Sequence, residues 1–100
     1  MTQLCFNSGP LYMTASVSSV MEQDRRFAEF IHQSIKRHLN CDFGDIDPED
    51  KGCNEQAIID GGRIFSVYKS NTSIEEDPTK IWVITEADRS STTVLFPREY

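Results

Sequence analysis

The chain has 100 residues, 38% of them hydrophobic and 26% charged, with a formal net charge of −6. That length fits one domain, and a composition near the globular average excludes wholesale disorder. No apolar run approaches the ~20 residues that span a bilayer, and residues 1–9 lack the basic start and apolar run of a secretory signal, so a cytoplasmic protein with no membrane partner is expected.

The charge is unevenly placed. Residues 1–21 carry no charged side chain, whereas residues 42–60 hold seven acids (Asp42, Asp45, Asp47, Glu49, Asp50, Glu55 and Asp60) against Lys51 alone. Acids and bases balance over the rest of the chain. No basic cluster exceeds a pair, which argues against direct nucleic-acid binding through phosphate neutralisation. Cys5, Cys41 and Cys53 form no CxxC pair. Neither a zinc knuckle nor a redox motif is indicated; one pair could form a disulfide, but three free thiols in a reducing compartment is the simpler expectation.

In chain order, residues 1–10 read as an irregular lead or a short strand around Leu4–Phe6, with a break at Gly9-Pro10, and Leu11–Thr14 can form a short strand. Ser19 and Glu22 match a capping box and predict a long helix from about Val20 to Leu39. Its apolar stripe is Phe27, Phe30, Ile31, Ile35 and Leu39. Arg37 and His38 lie near its C-terminus, where cations suit the helix dipole. Asp47-Pro48-Glu49-Asp50 is a strong helix start and Gly61-Gly62 a stop, giving a second, acidic, mostly exposed helix over 48–60 with Cys53, Ala57 and Ile58 on its thin apolar face. Three strands follow. In Arg63–Lys69, Phe65 and Val67 face one side and Ile64, Ser66 and Tyr68 the other. Lys80–Glu86 is more continuously apolar and belongs in the middle of the sheet. Thr92–Phe96 is ended by Pro97. A polar loop, Ser70–Thr79, joins the first two. The fold class is therefore α+β: an antiparallel meander of three strands, or four with Leu11–Thr14, packed by one long helix with the short acidic helix nearby.

No constellation for catalysis emerges. An EF-hand loop begun at Asp45 fails at Asp50, where Gly is needed, and at Gln56, where Glu is needed. His32 and His38 are six residues apart, fall on different helix faces and cannot share a metal. Cys53 on an acidic helix is a poor thiolate. No metal and no cofactor is expected. Two polar groupings stand out. Asp42, Asp45, Asp47, Glu49 and Asp50 form an acidic run that could meet a basic groove on another protein, in the manner of a phosphate backbone. Glu86, Asp88 and Arg89, with the hydroxyls of Thr85 to Thr93, crowd one hairpin, where Asp88 can fold the turn and Glu86 or Arg89 could contact a partner.

Several segments together resemble a family of short bacterial proteins carried on plasmids and other mobile elements. They are His38–Asp45, Glu49–Lys51, Asn54, Gly62–Tyr68, Lys80–Ser90 and Thr92–Pro97. The resemblance covers about Arg37 to Tyr100, and the N-terminal third departs from it. It implies no mechanism. Small acidic proteins of mobile elements often block host defences by binding a defence protein, so it implies a protein partner, itself nucleic-acid-binding, such as a CRISPR or restriction nuclease. The expectation is a non-enzymatic interaction module using Asp42, Asp45, Asp47, Glu49, Asp50, Glu86, Asp88 and Arg89. The alternative is a nucleotide-binding protein using Arg89, Glu86 and Trp82 or Tyr68. A small enzyme comes third.

Overall fold

The first helical segment of the chain is interrupted where the sequence suggests one continuous rod. In the computed structural model, described for residues 6–70 and 80–100, α1 runs Ala15–Gln23 and α2 runs Arg25–Leu39. Asp24 stands between them in an extended conformation. Its backbone N–H ends α1 on the Val20 carbonyl, and its carboxylate caps α2 by accepting from the amides of Arg26 and Phe27. Aspartate competes poorly in a helix interior and well at an N-cap, so the chain breaks there. α1 is capped by Thr14, whose hydroxyl accepts from Val17 N–H. Ser19 and Glu22 therefore lie inside α1 and start nothing. The third helix, α3, is Pro48–Asp60 as expected, ending on Gly61 in the left-handed region.

The sheet has four strands, β1 (Leu11–Met13), β2 (Ile64–Lys69), β3 (Lys80–Thr85) and β4 (Thr92–Leu95), in the order β1-β4-β3-β2. β2, β3 and β4 form the expected antiparallel meander. β1 joins β4 in parallel, so the sheet is mixed rather than wholly antiparallel. A parallel neighbour needs a long crossover, and α1, α2 and α3 all fall between β1 and β2 in the chain. The strand expected around Leu4–Phe6 and the loop Ser70–Thr79 fall, apart from Phe6 and Ser70, outside the described residues.

Alternation divides the sheet into two faces. Ile64, Ser66 and Tyr68 of β2 pair with Thr85, Val83 and Ile81 of β3, and with Thr92 and Val94 of β4 they face α1 and α2. The main core joins Tyr68, Ile81, Val83 and Val94 to Val17, Phe27, Ile31, Ile35 and Phe96. Phe27 and Ile31 are fully buried, worth about 1.5–3 kcal/mol each. A smaller cluster under α3 holds Phe6, Phe43, Ala57 and Ile64. The opposite face carries a row Phe65, Ile84, Thr93, Tyr12 and a second row Val67, Trp82, Leu95.

The free edge of β2 is sealed at two points. Phe43 C=O accepts from Val67 N–H, and Asp45 N–H donates to Val67 C=O at 2.7 Å. Gly44, between them, has φ +74°, and a Cβ there would overlap the Val67 carbonyl oxygen, so only glycine lets this segment lie so close. Two residues toward the start of β2, the Asn54 amide donates to Phe65 C=O at 2.6 Å and accepts from Phe65 N–H at 3.0 Å. α3 thus buries Asn54 and Ala57 while Cys53 faces solvent, turned from the face the sequence suggested. Asn54→Ala should cost about 2 kcal/mol, because both Phe65 backbone groups lose their partner in a part-buried site. Urea unfolding should show a lower midpoint at unchanged slope, and a midpoint equal to wild type would show the seal to be incidental.

Cys41 is disulfide-bonded, which corrects the expectation of free thiols at that position. It follows α2 with φ 64° and packs against the smaller cluster, and sequence spacing carries no information on such a distance in space. Cys53 is a free thiol, and Cys5 lies outside the described residues. Among the described residues, no helix is long and apolar enough to cross a membrane.

Candidate functional site

The outer face of the sheet carries a cleft of about 260 Å³ lined by Arg63, Phe65, Trp82, Ile84 and Tyr100. Phe65 and Trp82 come from adjacent strands, and their rings meet at 5.0 Å between centroids and 85° between planes. Tyr100, after a 3-10 turn at Pro97–Glu99, meets the same indole at 5.4 Å and 63°. The turn is fixed by Glu99, whose carboxylate accepts from Phe96 N–H and from the Thr14 hydroxyl, both at 2.8 Å. Arg63 lies over the Tyr100 ring at 5.3 Å, donates to its hydroxyl and stands 3.5 Å from a Glu86 carboxylate oxygen. The Tyr100 hydrogen bond, ahead of the Glu86 charge, raises the Arg63 pKa further above its ordinary value. The cleft therefore offers aromatic surfaces at steep angles to one another with a donor and an acceptor group beside them.

The acidic segment lies along the neighbouring edge, because the bonds from Phe43, Asp45 and Asn54 tie residues 43–54 to β2. Its carboxylates differ. Asp42 is occupied: Arg37 donates to its two oxygens at 2.8 and 3.1 Å, and that bond lowers the Asp42 pKa and raises that of Arg37. Asp45, Asp47, Glu49 and Asp50 are exposed and form no ion pair among the described residues. Asp47 stands at the N-cap of α3 without making the side-chain capping bond.

The hairpin residues are placed differently from one another. Glu86 faces the cleft through Arg63. Asp88 is exposed and accepts from Ser90 N–H at 3.0 Å, a bond that folds the turn, and the Ser90 side chain and amide lower its pKa. Arg89 has its guanidinium engaged with backbone. It donates to Gly62 C=O at 2.6 Å and to Ala57 C=O at 3.1 Å, with further bonds to the carbonyls of Glu86 and Ala87. It ties the hairpin to the end of α3. Tyr68 is fully buried on the helix-facing side, with its hydroxyl donating to Asp42 C=O, and burial pushes its pKa up. The nucleotide-type constellation of Arg89, Glu86, Trp82 and Tyr68 is therefore not assembled. Of the four, Trp82 lines the cleft and Glu86 stands beside it through Arg63, which supplies the cation.

A second polar feature lies in the core. His38 is completely buried. Its Nδ1 is 2.5 Å from Ser66 Oγ and its Nε2 is 2.9 Å from Thr85 Oγ1. Thr85 meets Thr92 at 2.7 Å, and the Thr92 hydroxyl donates to Ser8 C=O at 2.7 Å. A carbonyl only accepts, and this fixes the direction of the whole chain. Thr92 spends its proton on Ser8, Thr85 donates to Thr92, His38 Nε2–H donates to Thr85, and Ser66 donates to Nδ1. The ring is thus the neutral Nε2–H tautomer, set edge-on to Phe6 at 5.2 Å and to Phe43 at 6.4 Å. Burial pushes its pKa down to about 4. The Ser66–His38 contact has the atoms of a nucleophile and base, but both residues are shut away from solvent, and it serves to bind α2 to the sheet.

His38 lies off a stripe that advances in steps of four, because such steps drift about 40° each on a helix of 3.6 residues per turn. From Phe27 the direction returns to within about 20° at positions 34 and 38, and Ser34 and His38 are both buried, whereas Leu39 is only half-buried. Arg63 was legible in principle: period-two alternation puts it on the face of Phe65 and Val67.

Among the described residues, no group of three or more His, Cys, Asp or Glu side chains could hold a metal ion. No family model, no curated protein and no solved structure matches the chain.

Proposed function

We propose that this protein is a non-enzymatic interaction module whose acidic edge binds a basic, nucleic-acid-handling protein. The observation that carries this reading is the state of Asp45, Asp47, Glu49 and Asp50. They are exposed, form no ion pair among the described residues, and sit on a segment pinned to β2 at Phe43, Asp45 and Asn54. A segment whose backbone is already held in place loses little backbone entropy when a partner's lysines and arginines arrive, and complementary charge speeds encounter and selects partners. The resemblance to proteins of mobile elements supports a partner from host defence, in which case binding would block a nuclease at its nucleic-acid groove.

Immobilised protein should capture a basic nucleic-acid-binding protein from host lysate. Short duplex DNA should compete for it, and roughly 1 M salt, where the screening length is about 3 Å, should release it. The quadruple variant Asp45→Asn, Asp47→Asn, Glu49→Gln, Asp50→Asn should lose the capture while remaining folded. Equal capture by that variant would overturn the acidic-edge reading.

A further inference from the structure

We infer that the cleft on the outer sheet face is a binding site for a single uncharged nitrogen-heterocyclic base, of the guanine type. This goes beyond the acidic-edge reading and does not depend on it.

The size sets the first limit. At about 260 Å³ the cleft falls below the ~300–1,000 Å³ of sites that take drug-sized ligands, so it suits one fused ring system with at most a sugar. The lining sets the chemistry. Phe65, Trp82 and Tyr100 offer ring surfaces, and Ile84 is buried among them. Every nucleobase has a π-face that such rings can stack.

The polar groups at the margin set the selectivity. Arg63 spends one N–H group on the Tyr100 hydroxyl and stands 3.5 Å from Glu86 as an ion pair, yet a guanidinium has five N–H groups, and the side chains of Arg63 and Glu86 are 46% and 42% exposed. A ligand edge therefore meets a spare donor and a spare acceptor side by side. Guanine presents the complement: O6 and N7 accept from an arginine fork, while its N1–H and amino group can donate to a carboxylate. A phosphate fits less well, because Glu86 already stands against Arg63 and the chain carries a net charge of −6.

Trp82 is the only tryptophan, so its fluorescence reports on the cleft directly. Titration with guanosine should give saturable quenching with Kd in the ~10 µM–1 mM range typical of efficient ligands of this size. Guanosine monophosphate should bind more weakly than guanosine. Indole, which has the ring but not the edge, should bind more weakly still. Arg63→Gln and Glu86→Gln change exposed side chains and should leave the fold intact, each weakening guanosine at least about tenfold, as expected for loss of a bidentate base contact. Trp82→Ala, followed by ligand-observed NMR, should weaken it about 5- to 150-fold, the range that base stacking on an aromatic side chain supports.

Absence of quenching up to the solubility limit of guanosine would overturn the assignment. So would equal affinity for indole and guanosine, or unchanged affinity in both edge variants. A guanine-rich single strand binding more tightly than guanosine would replace the small ligand with a polymer. The quadruple acidic-edge variant should bind guanosine as wild type does, so failure of either reading is visible without the other.

Discussion

Between pH 6.5 and pH 4 the protein should lose about 3 kcal/mol of stability through His38 alone. The unfolded chain takes up a proton on this imidazole near its ordinary value of 6.5, while the folded state resists until about 4 because burial disfavours the cation. In that window the unfolded state binds more protons, so falling pH favours unfolding by about 1.4 kcal/mol per unit. The contribution is complete above pH 6.5, is lost through the window, and is flat below about pH 4. Asp42, Asp88 and Glu99, whose pKa values are held below their ordinary ones, carry stability that is lost in the same direction, starting at the acid end of this window. For a domain of this size the loss corresponds to roughly 10–25 °C in Tm. His38→Gln should be less stable at pH 7, because Ser66 and Thr85 lose well-placed partners, yet its stability should fall much less steeply from pH 6.5 to 4, with only the depressed carboxylates contributing near the acid end. The comparison of slopes separates titration from packing. A wild-type curve that is flat over this window, or a variant with the same slope, would remove His38 as the cause.

The same residue shows why some of the fold was legible and some was not. Signals local to a few residues were sufficient where one chemistry dominates. Pro48 and Gly61 bracket α3 correctly, and alternation places Phe65 and Val67 opposite Ile64, Ser66 and Tyr68. Where two local signals compete, the sequence does not choose between them. Ser19 and Glu22 imitate a helix start, but Asp24 is the residue that makes the capping bonds. The parallel attachment of β1 depends on three intervening helices and has no local signature.

The candidate site divides in the same way. Acidity and exposure of Asp45, Asp47, Glu49 and Asp50 followed from composition, whereas their tethering to β2 needed Gly44 and Asn54 to be seen against that edge. The cleft combines β2, β3 and Tyr100, three parts whose proximity only the folded chain supplies. His38 needed a helix face followed over eleven residues.

Arg89→Ala should destabilise the protein by about 2 kcal/mol and loosen α3, although the substitution lies in a different element. Two effects combine at this position. The guanidinium reaches Gly62 C=O and Ala57 C=O, and a hydrogen bond from a charged group contributes about 1.5–3 kcal/mol. Ala57 C=O also accepts from the amides of Gly61 and Gly62, so it remains paired without Arg89, and the loss falls mainly on Gly62. The backbone opposes this, because Arg89 has φ 60°, a conformation costing a side-chain-bearing residue roughly 1–2 kcal/mol. Arg89→Gly should therefore be more stable than Arg89→Ala by about 1 kcal/mol, and the difference isolates the backbone from the side chain. Arg89→Lys retains a charge near the C-terminus of α3 but has no planar fork, so it should recover only a fraction. A loss below about 0.5 kcal/mol in Arg89→Ala, the range of ordinary surface changes, would show that the clamp contributes nothing. Hydrogen exchange then decides what Arg89 does for binding. If it acts by holding α3 and its carboxylates in place, Arg89→Ala should weaken partner capture and reduce protection of the α3 amides together. Weakened capture with α3 protection unchanged would instead make Arg89 a contact residue, as its position in a polar hairpin first suggested.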